Sequence, residues 1–142
     1  MNIHFVLSEH LKTTTAFEGC HLVDINTLSS VPNASCDLIT LGNILEFITN
    51  HAEVLQIVYT KLRYGGSVII EGTDVIETCQ RLASGLLSPA DAQVLLWNGR
   101  QACFDMNEIE KLISGLSLDI VHTRLAQYRY LIKARRKNAP TN

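Results

Sequence analysis

The sequence predicts one α/β domain: a Rossmann-like, mostly parallel sheet with helices on both faces and a C-terminal antiparallel hairpin. Three observations predict it. Short apolar runs alternate with helical patterns along most of the chain. The last two apolar runs are joined by a short link, which is typical of a hairpin. The length of 142 residues, with 46% hydrophobic and 18% charged residues, suits one globular domain.

Three strands are predicted in the first third of the chain, over residues 3–7, 21–25 and 37–42. Each is a short apolar run bounded by polar residues, and the third is apolar enough to be covered on both faces. The segment between the second and third strands is rich in Ser and contains Pro32, which indicates a loop. This segment is too short to hold both a helix and a strand, so we expect one strand of a standard sheet to be short or missing.

A helix is predicted next, starting at Asn50, whose side chain can cap it while Glu53 reaches back. Its apolar face repeats at helical spacing and consists of Leu55, Val58, Tyr59 and Leu62. We expect Gly65-Gly66 to end this helix, because glycine adopts the left-handed conformation at little cost. A β-branched strand then follows over residues 67–71.

Three more helices are predicted from their start signals, and two strands close the chain. The signals are Asp74 with Glu77, Ser88 followed by Pro89, and Asp105 with Glu108. The strands cover residues 118–121 and 128–134. Because the link between them is short, they should pair antiparallel.

Composition and charge exclude several classes of function. The net charge of −2 and the pI near 6.2 lack the basic surplus of a nucleic-acid binder. No stretch reaches the ~20 apolar residues that a membrane span needs. The four cysteines form no C-x-x-C pair, so we expect no metal site. Since the N-terminus does not read as an export signal, we expect reduced thiols and a cytoplasmic protein.

The middle of the chain resembles the class I S-adenosylmethionine-dependent methyltransferases. Leu45-Glu46 after the third strand is similar to that family's leucine-glutamate pair. Residues 62–70 are similar to its glycine-glycine turn into the next strand, with Tyr64 in place of the usual proline. Val23-Asp24-Ile25 and Phe104-Asp105 are similar to motifs of the short methyltransferase-like proteins found in polysaccharide-synthesis clusters. The resemblance covers nearly the whole chain, and the order of the motifs carries it.

The resemblance fails at the first turn. The family follows its first strand with a glycine-rich loop, so that the backbone can approach the cofactor. This chain has Val6-Leu7-Ser8-Glu9-His10 there, and no glycine before Gly19. We expect Val6 to project toward the methionine end of the cofactor and Glu9 to place a charge near its carboxylate. The sequence therefore indicates a lost cofactor loop.

The resemblance, with the rule that ligands bind at the carboxyl ends of the strands, selects the candidate site residues. The cofactor-binding candidates are Ser8, Asp24, Leu41, Gly42 and Asn43, and the substrate-binding candidates are Asp74 and His10. Asp24 would accept the ribose hydroxyl protons; the alternative is an exposed acid at a strand end. Asp74 has helix capping as its alternative. Glu46 is either a base near an acceptor hydroxyl, or else a surface residue or a structural anchor.

Two functional hypotheses follow. The first is an S-adenosylmethionine-dependent methyltransferase-like protein with weakened or lost cofactor binding, acting on a small-molecule or saccharide acceptor. The second is a non-catalytic scaffold or partner-binding module of the same fold. Under either, we expect one domain over residues 1–137 and a tail over 138–142. We also expect a homo-oligomer, and neither nucleic acid nor membrane as a partner.

Overall fold

The computed structural model describes residues 1–141 and contains one six-stranded sheet. The strands are β1 (Asn2–Val6), β2 (His21–Asp24), β3 (Cys36–Gly42), β4 (Leu62–Thr73), β5 (Leu118–Ala126) and β6 (Arg129–Arg136). Their order across the sheet is β2-β1-β3-β4-β6-β5. The first four are parallel, and β6 pairs antiparallel with both β4 and β5. The predicted mostly parallel sheet is confirmed, including the C-terminal hairpin, which turns through Gln127 in a left-handed conformation. The expected helices on both faces are not found within residues 1–141, because no α-helix follows β1 or β2.

Four α-helices connect the strands, and all four begin at the predicted residues. The helices are α1 (His51–Lys61), α2 (Val75–Ala83), α3 (Pro89–Leu96) and α4 (Met106–Ser114). The side chains of Asp74, Ser88 and Asp105 accept backbone N–H groups at the starts of α2, α3 and α4. The predicted cap of α1 is wrong, because the Asn50 side chain makes no capping hydrogen bond.

The boundary between α1 and β4 lies earlier than predicted. The helix ends at Lys61, and β4 runs from Leu62 through the Gly65-Gly66 pair. A Cβ on Gly66 would lie 2.8 Å from the carbonyl oxygen of Cys36 in β3. The pairing of β3 with β4 is irregular at this point. The glycines therefore allow two strands to approach closely, and they do not end the helix.

The strand that was expected to be short or missing is absent from the described residues. After β2 the chain forms a 3-10 helix, Ile25–Ser30, and the next strand is β3. The first and third predicted strands are thus neighbours, and β2 lies at the edge of the sheet. From β1 the chain passes to β2 on one side of β1, and it then returns to form β3 on the opposite side of β1. The strand order therefore reverses beside β1, which makes this place a topological switch point.

The two faces of the sheet differ. One face carries a row formed by Phe5, Leu41, Ile70 and Ile132, which are neighbours in the strand pairing and fully buried. Buried side chains of α1 and α4 join the same core cluster. Helices α2 and α3 pack on each other and follow the carboxyl end of β4. The helices that cover the sheet therefore lie on a single face.

The opposite face, here called the open face, carries the alternate side chains. One of its rows is Leu22, His4, Thr40, Ile69, Lys133 and His122, from β2 across to β5. Residues 11–20, here called the strap, cover its β1 part: the Phe17 ring centroid lies 5.1 Å from that of His4. The Phe17 N–H also donates to His4 Nδ1 at 3.3 Å. On the other half of this face, Ile69, Leu131 and Lys133 are only half-buried.

Candidate functional site

A cleft of about 380 Å³ lies at the switch point, outside the carboxyl ends of β1, β2 and β3. It is lined by Leu7, Ser8, Glu9, Ile25, Asn26, Phe47, Ile48 and Gly99. The volume lies at the low end of the ~300–1,000 Å³ typical of ligand sites. The lining mixes apolar surface from four side chains with hydroxyl and amide groups, which suits a flat heterocycle attached to a polar group.

Asp24 lies beside this cleft and is held by two of the residues that line it. The Ser8 hydroxyl donates to Asp24 Oδ2 at 2.5 Å, and the Asn26 N–H donates to Oδ1 at 2.9 Å. The Asn26 side-chain amide also donates to Ser8 Oγ at 2.8 Å. The Ser8 hydrogen bond, with that of Asn26, lowers the pKa of Asp24. Two predicted cofactor residues, Ser8 and Asp24, are therefore brought together, with Asp24 ionised behind Ser8.

Of the two residues that the sequence indicated at the first turn, Glu9 lines the cleft and Val6 does not. Val6 is buried and does not line the cleft, whereas Leu7 and Glu9 do. A 3-10 helix, Ser8–His10, follows β1 directly. The side chains that would meet the methionine end of a cofactor are therefore those of Leu7 and Glu9, and Val6 packs away from it.

The other three cofactor candidates point elsewhere. The Leu41 side chain is fully buried in the core. Gly42 lies under the His4 imidazole, and a Cβ there would be 2.9 Å from His4 Nε2. The Asn43 side-chain oxygen accepts from Arg129 at 3.1 Å, across from β6. Within residues 1–141, none of the three lines the cleft with its side chain.

His10 and Asp74, the substrate-binding candidates, lie in different places. The His10 ring stands edge-on to Phe47, which lines the cleft, at a centroid distance of 6.3 Å. Asp74 lines a separate cavity of about 200 Å³. Its Oδ1 accepts the Glu77 N–H at 2.8 Å, and its Oδ2 accepts the Met106 N–H at 2.9 Å. The geometry of Asp74 is that of the capping alternative.

A buried polar cluster behind the cleft was not predicted as a unit. Glu46, 1% exposed, accepts the Thr73 N–H at 2.7 Å through Oε1. Its Oε2 lies 3.8 Å from Arg100 Nε, and its backbone carbonyl accepts the N–H of Gln101 at 2.6 Å. The buried Tyr130 hydroxyl is a further neighbour of the Glu46 carboxyl group. Glu46 is therefore an anchor that joins the loops after β3 and α3 to the end of β4.

The sequence contained one signal of this cluster, the Leu45-Glu46 pair. Its partners are 27, 54 and 84 residues away in Thr73, Arg100 and Tyr130, so no local pattern could reveal them. Arg100 also lies over the Phe47 ring, 4.8 Å from its centroid, which links the cluster to the cleft wall.

The Glu46 cluster makes a pH-dependent contribution to stability. Burial raises the pKa of Glu46 above its ordinary value of 4.5, although the Thr73 N–H and Arg100 oppose the shift. A carboxyl whose folded pKa is raised favours folding in its protonated form, so its contribution falls as pH rises from about 4.5 upward. Glu46→Gln retains an acceptor for Thr73 and removes the titration. We expect the unfolding free energy of this variant, relative to wild type, to increase with pH across that window.

Urea unfolding of the two proteins at several pH values between 5 and 8 measures this difference directly. His4, whose pKa is lowered by burial, acts in the opposite direction but is common to both proteins and cancels. A difference that stays constant with pH would show that Glu46 does not titrate in this window.

No three His, Cys, Asp or Glu side chains of residues 1–141 are grouped as metal ligands would be. In the same part of the chain, no helix combines the length and the apolar character needed to cross a membrane.

No protein-family model matches the chain, and no curated protein matches it.

Comparison of structures finds S-adenosylmethionine-dependent methyltransferases. One, a possible histamine N-methyltransferase from Thermotoga maritima, has a TM-score of 0.59 and 14% identity, over 84% of this chain and 65% of its own. A methyltransferase from Methanosarcina mazei has a TM-score of 0.61 and 11% identity, over 96% and 81%. The 1,6-didemethyltoxoflavin-N1-methyltransferase of Burkholderia thailandensis, solved with S-adenosylhomocysteine, has a TM-score of 0.55 and 15% identity, over 84% and 52%.

These similarities establish the fold. The chain has the fold of the class I S-adenosylmethionine-dependent methyltransferases in a reduced form, and within residues 1–141 β2 is the edge strand of the sheet. It spans about two thirds of the Thermotoga protein and about half of the toxoflavin enzyme.

Proposed function

We propose that the chain is a methyltransferase-like protein whose cleft binds the adenosine part of S-adenosylmethionine, with an affinity weakened at the methionine end. The observation that carries the proposal is the ionised Asp24 carboxylate at the end of β2, fixed by Ser8 and Asn26 beside a cleft of nucleoside size. Neighbours of the same fold are named as S-adenosylmethionine-dependent enzymes, and one was solved with S-adenosylhomocysteine.

The residues present fit the nucleoside half of the cofactor. Asp24 uses one lone pair on each oxygen for Ser8 and Asn26, and each carboxylate oxygen retains another for a ribose hydroxyl. Ile25, Phe47 and Ile48 offer apolar surface for the adenine. Ser8 and Asn26 can shift their hydrogen bonds from Asp24 to the sugar, since both already face the cleft.

The residues at the first turn do not fit the methionine half. The Leu7 and Glu9 side chains line the cleft where the family uses glycine. Glu9 carries a negative charge and its side chain is largely exposed, so it faces the amino-acid end of the cofactor as a like charge to the carboxylate. We therefore place the loss of affinity at this end.

When bound, S-adenosylmethionine supplies an electrophilic methyl group, and the protein has to orient the acceptor and exclude water. Phe47 and the Arg100 guanidinium stacked on it form the wall of the cleft on the side where the acceptor would bind. His10 stands at the edge of this wall and is our candidate for contact with the acceptor. The acceptor we propose is a small molecule, as for the toxoflavin methyltransferase among the neighbours.

Isothermal titration calorimetry with S-adenosylhomocysteine and with adenosine tests the proposal. We expect both to bind with similar, weak affinity, because the methionine end adds nothing. Asp24→Ala should weaken both by about ten- to hundredfold, the effect of losing charge-assisted hydrogen bonds. Asp91→Ala, which removes an exposed carboxylate from the first turn of α3, is the matched control and should leave both affinities unchanged.

Two results would overturn the proposal. Absence of heat and of thermal stabilisation with both compounds up to millimolar concentration would show that the cleft binds no nucleoside. Binding that is unaffected by Asp24→Ala would place the nucleoside elsewhere.

A second candidate function is a non-catalytic scaffold of the same fold. The observation that favours it is the 3-10 helix Ser8–His10, which closes the first turn with the Leu7 and Glu9 side chains. This candidate predicts no binding of either compound, so the same titration separates the two.

A further inference from the structure

We infer that the cleft selects nucleosides whose 5′ substituent carries a positive charge and no carboxylate, for example an ammonium or a sulfonium group. This inference deepens the proposed function and rests on it, because it takes the binding of adenosine as given and names the class of 5′ group. The observations behind it are the charges that line the cleft and the position of Glu9 among them.

The lining of the cleft contains one charged side chain, and this side chain is acidic. Of the eight described residues that line the cleft, only Glu9 is charged, and none is a lysine, an arginine or a histidine. The Asp24 carboxylate adds a second negative charge behind Ser8, since hydrogen bonds from Ser8 and from the Asn26 N–H lower its pKa. The cleft therefore presents a negative potential to its ligand.

Two basic groups lie near the cleft without lining it. The Arg100 guanidinium stacks on Phe47, and its Nε lies 3.8 Å from Glu46 Oε2, so a carboxylate inside the protein opposes its charge. His10 Nε2 lies 3.7 Å from Glu9 Oε1 and opposes the Glu9 charge only when the imidazole is protonated. At pH 7.5 most histidine side chains are neutral, so the negative charge of Glu9 remains.

Glu9 lies where the 5′ group of a bound nucleoside would be. In the proposed binding mode Asp24 accepts the ribose hydroxyls, and in a ribose the 5′ carbon projects from the face opposite these hydroxyls. The part of the cleft left for the 5′ group is then the part beside Leu7 and Glu9. A cation there is attracted by the Glu9 carboxylate, and a carboxylate is repelled. Because the Glu9 side chain is 72% exposed, solvent screens its charge and the preference is moderate.

Isothermal titration calorimetry at pH 7.5 and low salt tests the inference with three nucleosides that differ in their 5′ group. The probes are 5′-amino-5′-deoxyadenosine, adenosine and adenosine 5′-carboxylate, which carry a cation, a neutral hydroxyl and an anion at this position. We expect the amine to bind about fivefold more tightly than adenosine, and the carboxylate about fivefold more weakly. This is the effect of one unit charge at about 4 Å in a medium close to water.

A matched pair of variants assigns the preference to Glu9. Glu9→Gln should bring the three affinities to within about twofold of one another, because the charge beside the 5′ group is removed. Glu18→Gln removes the same charge from the exposed strap, outside the cleft, and should keep the order of the three affinities. In the wild-type protein 1 M salt should also reduce the differences, because the Debye length falls to about 3 Å.

The possible failures of this inference and of the proposed function are distinguishable. If the three nucleosides bind equally, if the carboxylate binds most tightly, or if Glu9→Gln leaves the order unchanged, this inference is overturned. The proposed function then stands, because adenosine still binds. If none of the three nucleosides binds, the proposed function is overturned and this inference with it.

Discussion

Gly72→Ala should be the most destabilising single methyl addition in the chain, with an expected loss of about 3–5 kcal/mol of unfolding free energy. A Cβ at this position would overlap Glu46 Oε1 and the Tyr130 hydroxyl, and would lie 2.7 Å from Tyr130 Cζ. Both side chains are fully buried, so neither can move aside into solvent. If Glu46 moves, its hydrogen bond from the Thr73 N–H is lost and a buried carboxylate remains without its donor.

The measurement is urea unfolding of wild type and variant, with Gly115→Ala as the matched control. Gly115 follows α4 with a φ of −70°, and a Cβ there would meet only ordinary contacts at 3.6 and 3.8 Å. We expect this control to change stability by less than about 0.5 kcal/mol. Equal stability of the two variants would show that the Glu46 cluster has room that the structure does not indicate.

Asp74→Ala should have the second largest effect, a loss of about 2–4 kcal/mol. The Asp74 carboxylate is 4% exposed and accepts two backbone N–H groups, one at the start of α2 and one at the start of α4. Its removal leaves two partly buried donors unpaired at the point where β4, α2 and α4 meet. Asp74→Asn keeps one acceptor oxygen and should lose roughly half as much.

Asp105→Ala provides the comparison, because Asp105 forms a capping box with Glu108 at an exposed helix start. One exposed cap is worth ~1 kcal/mol. Thermal unfolding of Asp74→Ala, Asp74→Asn and Asp105→Ala therefore shows which of the two acids contributes more to stability. If Asp74→Ala costs no more than Asp105→Ala, the double cap is not the main role of Asp74, and its predicted substrate-binding role gains support.

Much of the fold could be predicted because local signals determine it. The capping pairs at Asp74 and Asp105, and the Ser88-Pro89 start, give the beginnings of three helices. The error at Gly65-Gly66 has a physical reason: glycine serves both for helix ends and for close approach of two strands. Only the contact with Cys36, 30 residues away, distinguishes the two uses.

The candidate site could be predicted only in part. The proximity of Ser8 and Asp24 could be predicted because both lie at the ends of strands, and the ends of strands can be located from the sequence. Leu41 and Asn43 lie at the same edge, but their side chains point into the core and toward β6. The direction of a side chain depends on the register between strands, which no single segment contains. The Glu46 cluster also depends on partners distant in the chain.

The position of β6 beside β4 has a consequence for how the molecule reaches its native state. Ser67 pairs with Arg135, so the central strand obtains its second neighbour only when a segment almost half the chain away has been synthesised and has returned. Such distant pairing slows folding. Until it forms, the apolar β4 presents unpaired N–H and C=O groups, the kind of edge that recruits other chains. Nascent or truncated chains that end before Arg129 should therefore aggregate, and chaperone demand should be greatest in that interval.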